Sequence, residues 1–258
     1  MFALSPVASP ESEELEKQRQ TLSTLEQELM EKELEITTSR RDLKFFEKRY
    51  QKVVGVKYAE LDALKAEVLD FASKLYPKSD SFKEEAESAR ESSQQAEDDA
   101  ELMEEDALSE SAFRPSDDLK KLFRQVAKKI HPDLASDGEE RKRRHELMAR
   151  LNRAYDRLDD EGIRAILIEW EAGDHSSELS PGARLARTMR QVAQVRKRIH
   201  AINDELDALF NSAMHKLKEK VEFGDRLGKD LLQEMAGNVD EKISRIKARV
   251  RDLADDLI

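Results

Sequence analysis

Residues 116–158 read SDDLKKLFRQVAKKIHPDLASDGEERKRRHELMARLNRAYDRL. Ser116 is a good N-cap, and Asp117 and Asp118 fall in the first turn, where the helix dipole favours acids. Leu119, Leu122, Phe123, Val126 and Ile130 recur at three- and four-residue spacing and form one apolar face. Lys120, Lys121, Arg124, Lys128 and Lys129 occupy the remaining surface. Pro132 disfavours helical geometry at the residue before it, so this helix is expected to stop near His131. Ser136-Asp-Gly-Glu139 fits a capping box for a second helix, whose apolar face reads Met148, Leu151, Ala154, Tyr155 and Leu158. Two amphipathic helices joined by so short a loop pack antiparallel, apolar faces inward. His131, Pro132 and Asp133 are then expected to project at the tip of the hairpin. A third helix, Glu161 to Glu171, offers Ile163, Ile166, Leu167 and Trp170 as its stripe.

The rest of the chain is consistent with an all-α protein. Of 258 residues, 39% are charged, 38% hydrophobic and only 5% aromatic, with eight glycines and six prolines. A mixed α/β enzyme of this length needs more turns and a larger aromatic core. All six prolines stand where segments begin or end, and the stretches between them are candidate helical blocks. Residues 1–11 read as a disordered tail. Residues 12–76 carry a seven-residue repeat: Leu15, Leu22, Leu29, Ile36, Leu43, Tyr50. Leu25, Phe46 and Val53 lie at the second seam position. The seam restarts at Val54, Leu61, Leu64, Val68, Phe71 and Leu75. The step from Tyr50 to Val54 is a four-residue insertion beside Gly55, where a defect or bend is expected. Two arrangements fit this block equally: a coiled coil with a partner, or one long helix lying on the rest of the protein.

Residues 77–114 form an acidic linker. Between Asp80 and Glu110 thirteen acids face only Lys83 and Arg90, a net of −11 that equals the charge of the whole chain. The remainder is near neutral and gives no reason to expect nucleic acid as a partner. The linker is either a solvated spacer or an acidic strap over the basic helix 117–130. Residues 180–258 form a C-terminal coiled coil or helical hairpin. Ser180 and Pro181 suit its start. Its seam is Leu185, Val192, Val195, Ile199, Ile202, Leu206, Leu209 and Ala213, interrupted near Gly224, Gly228 and Gly237. A last seam follows at Val239, Ile243, Ile246, Val250, Leu253 and Leu257. This block either folds on itself or pairs with the first; periodicity shows that partners exist, not which they are.

Residues 115–173 resemble a J domain, the DnaJ-type co-chaperone module. The resemblance rests on Leu119-Lys-Lys-Leu-Phe123-Arg-Gln-Val-Ala127-Lys-Lys-Ile130, then His131-Pro132-Asp133, then Met148-Ala-Arg-Leu151-Asn152-Arg-Ala154-Tyr155-Asp-Arg-Leu158. It covers about a sixth of the chain. The family's usual first helix has no clear counterpart upstream of Pro115. Leu108 and Phe113 offer a shortened substitute, or a neighbouring coil takes its place. The resemblance implies docking on a DnaK-type heat-shock chaperone in its ATP state and acceleration of its ATP hydrolysis. It implies His131, Pro132 and Asp133 as the trigger, and Lys120, Lys121, Arg124, Lys128 and Lys129 as the docking face. The coiled coils would then hold a client protein, with a homodimer left open.

Other functions have less behind them. The chain has no cysteine, so thiolate nucleophiles, disulfides and cysteine metal sites are excluded. His131, His145, His175, His200 and His215 show no metal-ligand spacing, and no phosphate-binding glycine loop or nucleophile elbow is present. The chain is therefore expected not to be an enzyme and to hold no cofactor. Arg141-Lys-Arg-Arg144 is too short for a nucleic-acid patch and reads as a solvated helix start. No membrane span or secretory signal is evident, and a cytoplasmic protein is expected. A structural coiled-coil scaffold is the alternative.

Overall fold

The computed structural model describes residues 10–75, 88, 114–135, 137–172 and 180–255. Every regular element among them is helical, and the protein is all-α. The acidic linker, including Leu108 and Phe113, lies outside the described residues apart from Ser88 and Arg114. None of the helices described is long and apolar enough to cross a membrane.

Helix α1 runs from Pro10 to Tyr50, beginning inside the segment expected to be a tail. A π-helical turn, Gln51–Gly55, follows. It closes with the Val56 N–H bonded to the Gln51 carbonyl, and α2 continues over Val56–Leu75. The extra residue of a π-turn absorbs the four-residue phase jump seen in the sequence. Gly55 is buried there, and a Cβ at this position would fall within 2.8 Å of the Gln51 side chain. Helix α3 spans Asp117–Ile130, and a 3₁₀ turn covers Pro132–Leu134. Helices α4 (Gly138–Asp156) and α5 (Asp160–Glu171) complete the central module. The C-terminal block forms α6 (Pro181–Asn211), α7 (Ala213–Arg226) and α8 (Leu231–Asp255).

Several boundaries differ from the sequence reading. Asp137 caps α4, accepting from the Glu140 N–H at 2.8 Å, one residue beyond the expected Ser136. Ser212 divides the C-terminal block, accepting from the His215 N–H at 3.2 Å. Gly237 lies inside α8 and does not interrupt it. Gly228 does make a turn: its φ of +72° is the left-handed region that suits glycine. Leu158, assigned to the α4 face, lies beyond the helix end and is exposed. Its φ is +56°. The Leu158 N–H bonds to the Tyr155 carbonyl and the Asp159 N–H to the Ala154 carbonyl, a Schellman closure with leucine where glycine is usual.

The chain forms two compact units, one of residues 1–42 and 113–211, the other of 43–112 and 212–258. In the first, Leu119, Phe123, Val126, Leu151, Tyr155, Ile163 and Trp170 share a core with Leu29 and Ile36 of α1 and Val195, Ile199 and Ile202 of α6. The long N-terminal helix thus lies on the central module, and α6 faces it with the Arg40–Glu205 ion pair at 2.7 Å. In the second unit, Phe46, Val54, Val221 and Leu232 form one cluster, and Leu61 packs with Val239 and Ile243. Ion pairs Lys57–Asp240 and Lys247–Glu60, each at 3.0 Å, flank that α2–α8 seam. The apolar seams of the two coiled-coil blocks therefore meet within one chain.

Candidate functional site

The hairpin is antiparallel. Midway along α3, Phe123 meets Tyr155 from late in α4, with ring centroids 4.8 Å apart. Late in α3, the Lys129 carbonyl meets Arg144 from early in α4. Ser116 caps α3 by accepting from the Leu119 N–H at 3.1 Å, as its sequence position suggests. The helix ends at Ile130 because Pro132 requires an extended His131, whose φ and ψ are −61° and 130°. The 3₁₀ turn closes through Leu134 N–H to the His131 carbonyl (3.1 Å) and Ala135 N–H to the Pro132 carbonyl (3.2 Å).

The expected projecting tip is not what forms. His131 is only 2% exposed, Pro132 is buried and Asp133 is half-buried. Two helices distant in sequence cover the turn. From α1, Glu33 Oε1 lies 3.2 Å from His131 Nε2. From α6, Gln191 Nε2 donates to the Leu134 carbonyl at 2.8 Å. Gln194, with its amide turned so that both atoms are satisfied, donates to the Asp133 carbonyl (3.0 Å) and accepts from Arg141 Nη2 (2.8 Å). A hairpin loop is exposed only when nothing else packs on it, and here the seams of α1 and α6 bring polar side chains onto its backbone.

The imidazole is oriented on both sides. His131 Nδ1 accepts from the Asp133 N–H at 3.2 Å. An accepting Nδ1 leaves the ring proton on Nε2, from which it is donated to Glu33. Glu33 also accepts from Arg198 of α6, Nε to Oε1 at 2.7 Å and Nη2 to Oε2 at 3.3 Å. Burial by itself pushes the Glu33 carboxyl up. Hydrogen bonds from His131 and Arg198, with the Arg198 charge, outweigh it and hold the group below its usual value. Arg198 Nη1 reaches on to Glu205 at 3.0 Å. A chain of polar groups, buried at His131 and Glu33 and half-buried at Arg198 and Glu205, therefore ties α1, the turn and α6 together.

The basic residues of α3 also meet acids of this chain. Lys128 pairs with Glu26 of α1 at 3.3 Å, and Lys129 with Glu171 of α5. Lys120 and Lys121 pair within their own helix with Asp117 (3.3 Å) and Asp118 (3.7 Å). Lys120 and Arg124 line a shallow groove with Leu34 and Thr38 of α1. Of the five, Lys121 is the one that stands well out into solvent, with its side chain 71% exposed.

Arg144 is the residue that the sequence concealed. Its run of four basic residues reads as solvated, yet its side chain is 9% exposed. Nη1 donates to the carbonyls of Lys129 (3.0 Å) and His131 (3.1 Å), and Nη2 to Glu140 Oε1 (2.7 Å). The guanidinium lies 4.7 Å from the Trp170 ring centroid. It thus satisfies the Lys129 carbonyl, which α3 leaves open at its C-terminus, gives the His131 carbonyl a second donor beside the Leu134 N–H, and fixes the entry to the turn.

No family model, curated protein or solved structure matches the chain.

Proposed function

We propose that the chain is a cytoplasmic J-domain co-chaperone or adaptor. It docks on a DnaK-type heat-shock chaperone, stimulates ATP hydrolysis by that partner, and brings it to a client held by the long helices. In this reading the chain itself hydrolyses nothing. The observation that carries it is the hinge: His131-Pro132-Asp133 directly follows a basic amphipathic helix, which returns antiparallel through α4. Asp133 offers a carboxylate to a partner's arginine, Pro132 fixes the turn, and the cations of α3 steer a negatively charged surface. Helix α1 packs on the module by Leu29, Met30, Leu34 and Ile36, in keeping with a neighbouring coil as one of the two substitutes for the family's first helix.

A second reading, a coiled-coil scaffold, is favoured by one observation: His131 and Pro132 are buried. A steady-state ATPase assay separates the two. A DnaK-type chaperone is mixed with the full chain, with His131→Gln and with Asp133→Asn. The co-chaperone reading expects stimulation by the wild type that both variants lose. Equal rates for all three support the scaffold.

A further inference from the structure

We infer that α1 and α6 form an autoinhibitory clamp on the His131–Asp133 turn, with Glu33 as its latch. The inference rests on the co-chaperone reading, since it concerns access to the same turn. Three observations carry it. First, the turn is covered on two sides by one chain: Glu33 on the imidazole, Gln191 and Gln194 on the backbone carbonyls of Leu134 and Asp133. A partner that must touch His131 cannot reach it while these contacts stand. Second, α1 supplies to α3 the kind of charge that an acidic partner surface would supply. Glu26 neutralises Lys128, and Leu34 and Thr38 of α1 wall the groove that holds Lys120 and Arg124. The same cations cannot serve both surfaces at once.

Third, the clamp closes on the turn through polar groups. Glu33, His131 and Arg198 meet where an apolar seam would hold more tightly, because desolvating charges offsets much of their attraction. Phe123, Val126, Leu151, Tyr155, Ile163 and Trp170 belong to a core that Leu29 and Ile36 of α1 and Val195, Ile199 and Ile202 of α6 also enter, so release is confined to the polar contacts on the turn. The turn keeps its shape when those polar contacts part, because Arg144 holds its entry from within the module. The open form is a minor population, and apparent affinity for the chaperone falls in proportion to it. Client binding along α1 or α6 is the event suited to shift that balance.

The test uses the full chain in two arms, each with a DnaK-type chaperone and ATP. Glu33→Gln keeps the shape of the latch but removes the charge that Arg198 and His131 share. Arg40→Cys with Glu205→Cys permits the opposite change. The chain has no cysteine of its own, so a bis-maleimide with a reducible disulfide spacer, each maleimide taking up one thiol by addition, joins α1 to α6 at that pair alone. Hydrogen exchange across 131–135 reports opening separately from activity. The clamp requires faster exchange and a roughly tenfold gain in apparent affinity for Glu33→Gln, taking an open fraction of about one tenth. It requires stimulation to vanish on cross-linking and return on cleavage. Full stimulation by the wild type, unchanged in Glu33→Gln and in the cross-linked chain, overturns the clamp and leaves the co-chaperone reading standing. Faster exchange in Glu33→Gln with no stimulation by any form overturns the co-chaperone reading, and the inference with it. If Glu33→Gln does not fold, the cross-linked arm decides alone.

Discussion

Arg144→Ala isolates the residue that holds the hinge. The substitution removes two charge-assisted hydrogen bonds to carbonyls, at 3.0 and 3.1 Å, from a side chain only 9% exposed. Hydrogen bonds to charged groups contribute ~1.5–3 kcal/mol each, and a partly buried cation–π contact such as that with Trp170 adds ~0.5–2 kcal/mol. These terms are not additive, since water reaches part of the vacated site. A net loss of ~3 kcal/mol is the working figure, which lowers Tm by roughly 6–12 °C for a domain of this size class. Arg144→Lys keeps the charge but not the fork, and recovers less than half of the loss. Arg143→Ala is the control: Arg143 is exposed and 5.7 Å from the same ring centroid, so its loss is below ~0.5 kcal/mol. Urea unfolding followed by Trp170 fluorescence reads all three, because the chain's single tryptophan lies in the unit concerned. A loss under 1 kcal/mol for Arg144→Ala, or one equal to that of Arg143→Ala, refutes the assignment.

Other substitutions probe separate features. Leu158→Gly is expected to stabilise by ~0.5–1 kcal/mol, because a left-handed backbone strains leucine and the side chain is exposed; chemical denaturation measures it, and destabilisation contradicts it. Phe123→Ala, at a position fully buried against Tyr155, should cost ~3–5 kcal/mol in the same assay. Glu33 makes the first unit acid-sensitive. Its carboxyl sits below the usual 4.5 in the folded state, so its contribution is complete above that pH and is lost as pH falls through the lower folded value. Comparing urea midpoints of wild type and Glu33→Gln at neutral pH and below pH 4.5 should show the gap between them narrowing in acid; a constant gap contradicts the sign.

Much of the helical layout was legible because it depends on local spacing. The 3.6-residue period identified Leu119, Leu122, Phe123, Val126 and Ile130, all of which are buried. The phase jump at Tyr50–Val54 located the π-turn, because an inserted residue must appear somewhere in a heptad count. What stayed hidden depends on contacts distant in sequence. Glu33 lies 98 residues from His131, and Gln191 lies 57 from Leu134, so nothing local marks either as a cover for the turn. Arg144 was concealed by its neighbours, since only its position opposite the C-terminus of α3 separates it from Arg141, Lys142 and Arg143. Leu158 misled for a different reason: a leucine in phase with a helical stripe reads as core, and a left-handed cap carries no signal without glycine. The exposed hinge was a fair expectation for an isolated hairpin and failed because two further helices pack on it.

The contact between Glu33 and His131 is the centre of this account, and ¹⁵N NMR of the histidine side chains tests it most directly. With Nδ1 accepting from Asp133 and Nε2 facing Glu33, the neutral His131 ring should show one fixed tautomer, with its proton on Nε2. Its ring proton should exchange slowly and lose that protection in Glu33→Gln. Averaged tautomers at His131, like those expected of the exposed His145, and no response to Glu33→Gln would contradict it.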